Sequence, residues 1–266
     1  MEHAEFKHLI RTRGRELYRD MPWRVDTQPY YVLVSELMLQ QTQVARVVPK
    51  FEEFIERFPD SKTLAEASLA DVLKLWSGLG YNRRAKYLHE AAKQVMAEYG
   101  GELPADYDLL KKLPGIGPGT AGAIMAYAFN QPVVFIETNV RAVYFHYFFA
   151  DGRKVSDSEL LPLIEATIDR ERPREFYWAL MDYGAWLKQH TPKKNAQSIH
   201  YKKQSRFYGS VREVRGQIMR LLGEGDKTLS ELQTLVALDE RFEPALRGLV
   251  GDGLVSQTDE IYHLTN

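Results

Sequence analysis

The chain has 266 residues, 44% of them hydrophobic, with 35 basic and 36 acidic side chains, a formal net charge of -1 and no cysteine. There is enough apolar material for a full core, expected as one bilobal domain plus a smaller one, and the missing thiols exclude disulfides, thiolate zinc sites, cysteine nucleophiles and cysteine-held iron–sulfur clusters. The charged start over 1–19, and the Ser35 and Glu36 that interrupt the most apolar stretch at 30–39, argue for a cytoplasmic protein with neither signal peptide nor membrane span.

The first segment with chemical interest is 30–44, an apolar run holding one carboxylate. Helical spacing puts Val32, Ser35, Glu36 and Leu39 on one face, where desolvation would raise the Glu36 carboxyl and keep its proton near neutrality. Apolar residues three and four apart then predict helices over 60–70, 69–78, 83–99 and 107–113. Between the second and third of these, Tyr81 follows Gly78-Leu79-Gly80 on a turn and precedes Arg83, Arg84 and Lys86, a setting suited to contact with DNA. Trp76, Tyr87, Tyr144 and Phe145 fall at helical spacings and read as core instead.

Leu113-Pro114-Gly115-Ile116-Gly117 joins the 107–113 helix to one over 120–129. Amides of such a hairpin, continuing through Gly119 and Thr120, stand at a helix start, ahead of the first intrahelical bonds, and suit an anion. Glycine at 115 and 117 is expected for positive φ or for close approach of a phosphate. Residues 117–122 also satisfy a G-x-G-x-x-G pattern, but no buried strand of Val or Ile precedes them, so a dinucleotide fold is discounted. The short β-like run at 132–136 reads as an extended connector delivering Glu137 to a helix over 139–149. A proton-holding Glu36 and an ionised Glu137 are the acid and anion that cleavage of an N-glycosidic bond requires.

Helices over 157–169 and 176–190 follow, then a polar linker at 191–210. From 186 to 220 there are nine Lys or Arg, among them Lys188, Lys202, Lys203 and Arg206, against the single acid Glu213, with Tyr201, Phe207 and Tyr208 interleaved as in nucleic-acid-binding segments. Three helices at 211–222, 228–238 and 240–251 and a hairpin at 254–264 have the order of a winged helix. Its presumed recognition helix carries Asp239, Glu240, Glu243 and Asp252 against Arg241 and Arg247. That balance favours docking or protein contact over phosphate binding. His89, His146, His190 and His200 show no metal-ligand spacing.

Pro22-Trp23-Arg24, the run Ser35 to Val44, Trp76-Ser77-Gly78-Leu79-Gly80-Tyr81, Leu113 to Ala121, Glu137-Thr138-Asn139-Val140 and Met181-Asp182-Tyr183-Gly184-Ala185 stand in the order found in helix-hairpin-helix (HhH-GPD) DNA glycosylases. The chain most resembles the adenine glycosylases of the MutY type, over residues 1 to 190. Leaving the winged-helix-like module at 211–266 outside it, the resemblance implies an all-α, bilobal fold, with a six-helix barrel lobe at about 27–132 and a second lobe from 1–26 and 133–190. It implies a monomeric, nucleoid-associated enzyme that excises adenine mispaired with 8-oxoguanine or G from double-stranded DNA. Glu36 matches the general acid that protonates adenine at N7, Glu137 the aspartate that stabilises the cationic sugar, Asn139 its neighbouring asparagine, and Gln40 and Gln41 the segment that wedges into the duplex. Carbonyls of Leu113 and Ile116 match those that hold a monovalent cation, and no other cofactor is required. Gly119 stands where strand-cutting relatives have a lysine, which implies a monofunctional enzyme.

Three features depart from the family pattern. Glutamate at 137 replaces aspartate, a displacement of about 1.5 Å. Lys188 occupies the place of the first of four cluster cysteines, so the family's iron–sulfur cluster has no ligands here. The winged module stands where a nudix-like domain would read 8-oxoguanine. Two other readings therefore stay open: a uracil or thymine glycosylase acting opposite G, and a catalytically silent DNA-binding adaptor.

Overall fold

Capping side chains set many of the helix boundaries. The structure, a computed structural model, describes residues 1–191, 197–199, 206–236 and 239–266. Asp60 accepts the Thr63 amide to start α5 (Ser61–Glu66), and Ser68 accepts the Asp71 amide to start α6 (Leu69–Leu75). The expected 60–70 helix is therefore interrupted at Ala67. Gly100 in the left-handed region ends α7 (Arg83–Tyr99). Asp106 caps α8 (Tyr107–Leu110), which stops short of the expected residue 113 because Pro114 and the hairpin follow.

The chain divides into two compact units. The first comprises Met1–Leu33, Pro104–Lys112 and Ile116–Lys203. Its helices are α1 (His3–Glu16), the short α2 (Pro22–Val25), the start of α3 (Pro29–Leu39), α8, α9 (Pro118–Tyr127), α10 (Thr138–Phe148), α11 (Asp157–Thr167) and α12 (Pro173–His190). α12 is the axis of this unit and packs on α1, α9 and α10, with Phe6, Ile10, Tyr144, Phe145, Phe176, Tyr177 and Leu180 buried between them. α1 lies outside the segments read as helical from sequence, because its buried side is only Phe6 and Ile10, one turn apart in a charged stretch.

The second unit comprises Val34–Leu103, Leu113–Gly115 and Gln204–Asn266. α4 (Val44–Arg57), another helix not anticipated, buries Val47, Phe51 and Phe54, and α5 and α6 pack on α7. The C-terminal residues run α13 (Val211–Glu224), β1 (Lys227–Thr228), α14 (Leu229–Leu235), α15 (Phe242–Gly251), β2 (Val255–Thr258) and β3 (Ile261–Leu264). The strands form an antiparallel sheet in the order β1-β3-β2, so the three helices and hairpin of the winged order are present with one additional short strand. α13 and β3 rest on α6, and the Lys86 ammonium of α7 donates to the Asp252 carbonyl at 3.0 Å. Among the described residues no helix is long and apolar enough to cross a membrane.

Candidate active site and nucleic-acid interface

Glu137 is the N-cap residue of α10, at the end of a connector without regular structure. That connector is held on both sides. Phe135 stacks on Tyr177 with ring centroids 4.1 Å apart, and the Tyr177 hydroxyl accepts from the Phe135 amide at 3.3 Å while donating to the Val133 carbonyl at 3.0 Å. On the other side Gly122 of α9 has no room for a side chain, since an added Cβ would lie 2.5 Å from Phe135 Cβ. α12 closes on the next turn in the same way. A Cβ at Gly184 would fall 2.8 Å from Asn139 Cα and closer still to the Asn139 carbonyl oxygen.

Gly184→Ala should therefore force α10 and α12 apart, at a cost of about 1–3 kcal/mol. Thermal melting measures this, and an unchanged melting temperature would mean that the contact does not constrain the helices. The isolated glycine inside an amphipathic helix was the available sequence signal for this approach.

Burial pushes the Glu137 carboxyl up to about 7, against the opposing pull of the Arg141 guanidinium and the Lys188 ammonium. Where the sequence leads one to expect an ionised Glu137, burial instead holds the carboxyl of the free protein well above the ordinary carboxylate range. Burial and Arg19 push Lys188 below the usual lysine range, and Glu137 pulls it back. Arg141 is anchored by Asp157, donating at 2.9 and 2.6 Å. The Asn139 side-chain oxygen is buried and, among the described residues, has no hydrogen-bond partner. A desolvated carboxyl at a helix N-terminus, flanked by cations and an unsatisfied amide oxygen, gains most from a neighbouring group that becomes positive.

In the second unit Glu36 lies half-buried on the last turns of α3, between the buried Ser35 and Leu37. Gln40 is half-buried and Gln41 exposed, the latter left-handed with φ 57°. Tyr81 is also left-handed, φ 48°, and 38% exposed. Its hydroxyl accepts from Arg212 at 2.6 Å, and the exposed Arg83 lies 3.5 Å from Asp252. These two expected DNA contacts thus already have partners from the C-terminal residues. Asp252 also binds Arg215 at 2.5 Å, and Arg241 holds Asp239 and Glu213, so part of the acidic charge expected on the recognition helix is neutralised internally.

Arg84 departs most from expectation. It is 6% exposed and donates to backbone carbonyls within its unit, so its guanidinium is unavailable to a phosphate.

At the hairpin Gly115 has φ 76°, and a Cβ there would lie 2.8 Å from Tyr87 Cβ, so both conformation and space require glycine. Gly117 does not share the positive φ. It is extended, φ -87° and ψ 178°, and Gly117 and Gly119 both face open space, which leaves close approach as the reason for their small size. The Ala121 amide makes the first intrahelical bond of α9, to the Gly117 carbonyl, so the Gly119 and Thr120 amides precede it at the positive end of the helix. The side chains of Leu113 and Ile116 are buried. Lys188 keeps an exposed surface although its ammonium is partly desolvated, and Arg206 is exposed; Lys202 and Lys203 lie outside the described residues.

A family model described as HhH-GPD superfamily base excision DNA repair protein matches residues 34–163. The chain is 34% identical to an adenine DNA glycosylase of Mycobacterium tuberculosis, across 91% of its own length and 87% of that protein's. Among solved structures it is similar to a thermostable thymine-DNA glycosylase, with a TM-score of 0.62 and 26% identity over 69% of this chain and 86% of that one. It also shares its fold with endonuclease III in a non-covalent DNA complex, at a TM-score of 0.61 and 20% identity over 73% and 91% of the two chains.

Proposed function

The chain belongs to the HhH-GPD superfamily of base excision DNA repair proteins, and from that premise we propose that it is an adenine DNA glycosylase that acts on adenine mispaired with 8-oxoguanine or G. The observation that carries this reading is the desolvated Glu137 carboxyl at the start of α10, with its neighbours in sequence fixed by packing, Phe135 on Tyr177 and Asn139 against Gly184. Breaking the N-glycosidic bond leaves positive charge on the sugar. That charge favours the carboxylate form of Glu137, and by reciprocity the carboxylate stabilises the transition state more than the ground state.

Glu36 supplies the proton that makes adenine a neutral leaving group, at N7. Water then adds to the sugar carbon, and the proton it releases restores Glu36, which balances the hydrolysis. Asn139 orients the sugar beside Glu137. DNA is held by the hairpin amides of Gly117, Gly119 and Thr120 and by the basic residues Lys188 and Arg206, while Gln40, Gln41 and Tyr81 fill the gap left by the extruded base. Gly119 has no amine for a Schiff base, so the product is an intact abasic strand.

Single-turnover assays on duplexes with A:8-oxoG, A:G, U:G and T:G test the reading. Release of adenine from the first two, with strand scission appearing only after alkali, is expected. Pyrimidine release with adenine untouched would assign the protein to mismatch uracil or thymine repair, and tight binding without excision on all four would make it an adaptor.

A further inference from the structure

Arg84 presents a buried guanidinium that, among the described residues, pairs with no carboxylate. Burial pushes it down to about 10, so it remains a cation at neutral pH. Its acceptors come from two turns. From the end of α3 they are the carbonyls of Leu37 and Met38, both at 2.7 Å, and of Gln40 at 2.6 Å; from the turn before α7 they are the carbonyls of Leu79 at 3.2 Å, Gly80 at 2.8 Å and Tyr81 at 3.3 Å. The Thr42 hydroxyl also bridges the turns, accepting from Arg84 at 3.1 Å and lying 3.4 Å from the carbonyls of both Gln40 and Leu79. Trp76 completes the bracket: its ring lies 5.4 Å from the guanidinium carbon, and its indole N–H donates to the Gly80 carbonyl.

Each turn carries one non-glycine residue in the left-handed region, Gln41 in the first and Tyr81 in the second. Such residues persist only where their surroundings over-determine them. A cation at the C-terminal end of α3 satisfies carbonyls that have no intrahelical partner and meets the negative end of the helix dipole. A planar five-donor fork serves both turns at once, which the point charge of a lysine does not.

We propose that Arg84 is a positioning residue that locks Gln41 and Tyr81 at a fixed spacing, as two prongs of one preformed wedge for the duplex. The proposal rests on the glycosylase reading and adds to it how the wedge is built. A wedge ordered in advance spares the cost of immobilising two loops when DNA arrives.

The test uses the full chain and a duplex carrying 2-aminopurine in place of the mispaired adenine. Its fluorescence rises when the base leaves the stack, whether or not chemistry follows. Arg84→Lys is expected to lose at least about tenfold in the equilibrium for extrusion, read at saturating protein, with DNA affinity at low salt falling by no more than that same factor, because the two equilibria are linked, and with cooperative thermal unfolding retained. Thr42→Val should show a smaller loss of the same kind, and Thr42→Ser, which keeps the hydroxyl, should restore the parent signal. Full fluorescence in Arg84→Lys at saturating protein, with or without a loss of affinity, overturns the proposal. Where Arg84→Lys fails to fold, the Thr42 pair decides: a loss in Thr42→Val rescued by Thr42→Ser supports the bracket, and parent-like fluorescence in Thr42→Val overturns it. Failure of the glycosylase reading is seen separately, as a parent protein that releases no adenine.

Discussion

Glu137→Gln should lower single-turnover excision of adenine by on the order of a thousandfold, the scale of losing one group aimed at transition-state charge. DNA affinity should stay within a few-fold, because the phosphate contacts are assigned to other residues. Glu137→Asp should also lose on the order of a hundredfold, since the connector held by Phe135 and Tyr177 will not follow a shorter side chain. The parent's pH profile carries a matching signature. With the carboxyl near 7 in the free protein, kcat/KM for excision should fall by about tenfold per unit as pH drops below that value, and the residual kcat/KM of Glu137→Gln should be flat across the same window.

The stability consequence has the opposite sense. The folded carboxyl is raised from 4.5, so the native state binds the extra proton between 4.5 and about 7 and loses stability as pH rises through that interval. Glu137→Gln should therefore be more stable than the parent at about pH 8 and indistinguishable from it below the ordinary carboxylate value. Parallel melting curves that never diverge with pH would remove the desolvated carboxyl from the account.

Asp182→Ala should strongly destabilise the first unit, costing about 3–5 kcal/mol out of a total stability of roughly 5–15 kcal/mol. Asp182 is buried on α12, and its two oxygens accept from both ends of the Arg24 guanidinium at 2.7 and 3.0 Å, from Arg19 Nε at 2.7 Å and from the Arg19 amide at 3.2 Å. Arg24, 4% exposed at its side chain, would be left as an uncompensated cation. Arg19 is 39% exposed and would rehydrate, so Arg19→Ala should cost about 1 kcal/mol or less. Urea unfolding measures the difference. Equal losses in the two variants would show that burial of Arg24 is not what makes Asp182 matter.

What the sequence determined by itself was local. The spacing of apolar residues marked α6, α7, α10 and α12, caps and glycines marked many of their ends, and the hairpin, Glu36 and Glu137 were identifiable because each belongs to a short contiguous pattern. α1 and α4 escaped, the first because it shows little apolar periodicity and the second although Val47, Phe51 and Phe54 follow the helical spacing. Only the tertiary structure decided what the charged residues do. Arg83 and Arg84 are adjacent in a basic run that reads as one surface patch, yet Arg83 is exposed and Arg84 is enclosed by carbonyls up to 47 residues away. Asp182 meets Arg24 across 158 residues, and Gly184 owes its identity to the backbone of Asn139. A charge on an isolated strand of text carries no information about the dielectric around it. Burial and partner supply that information, and both are properties of segments brought together from far apart in the chain.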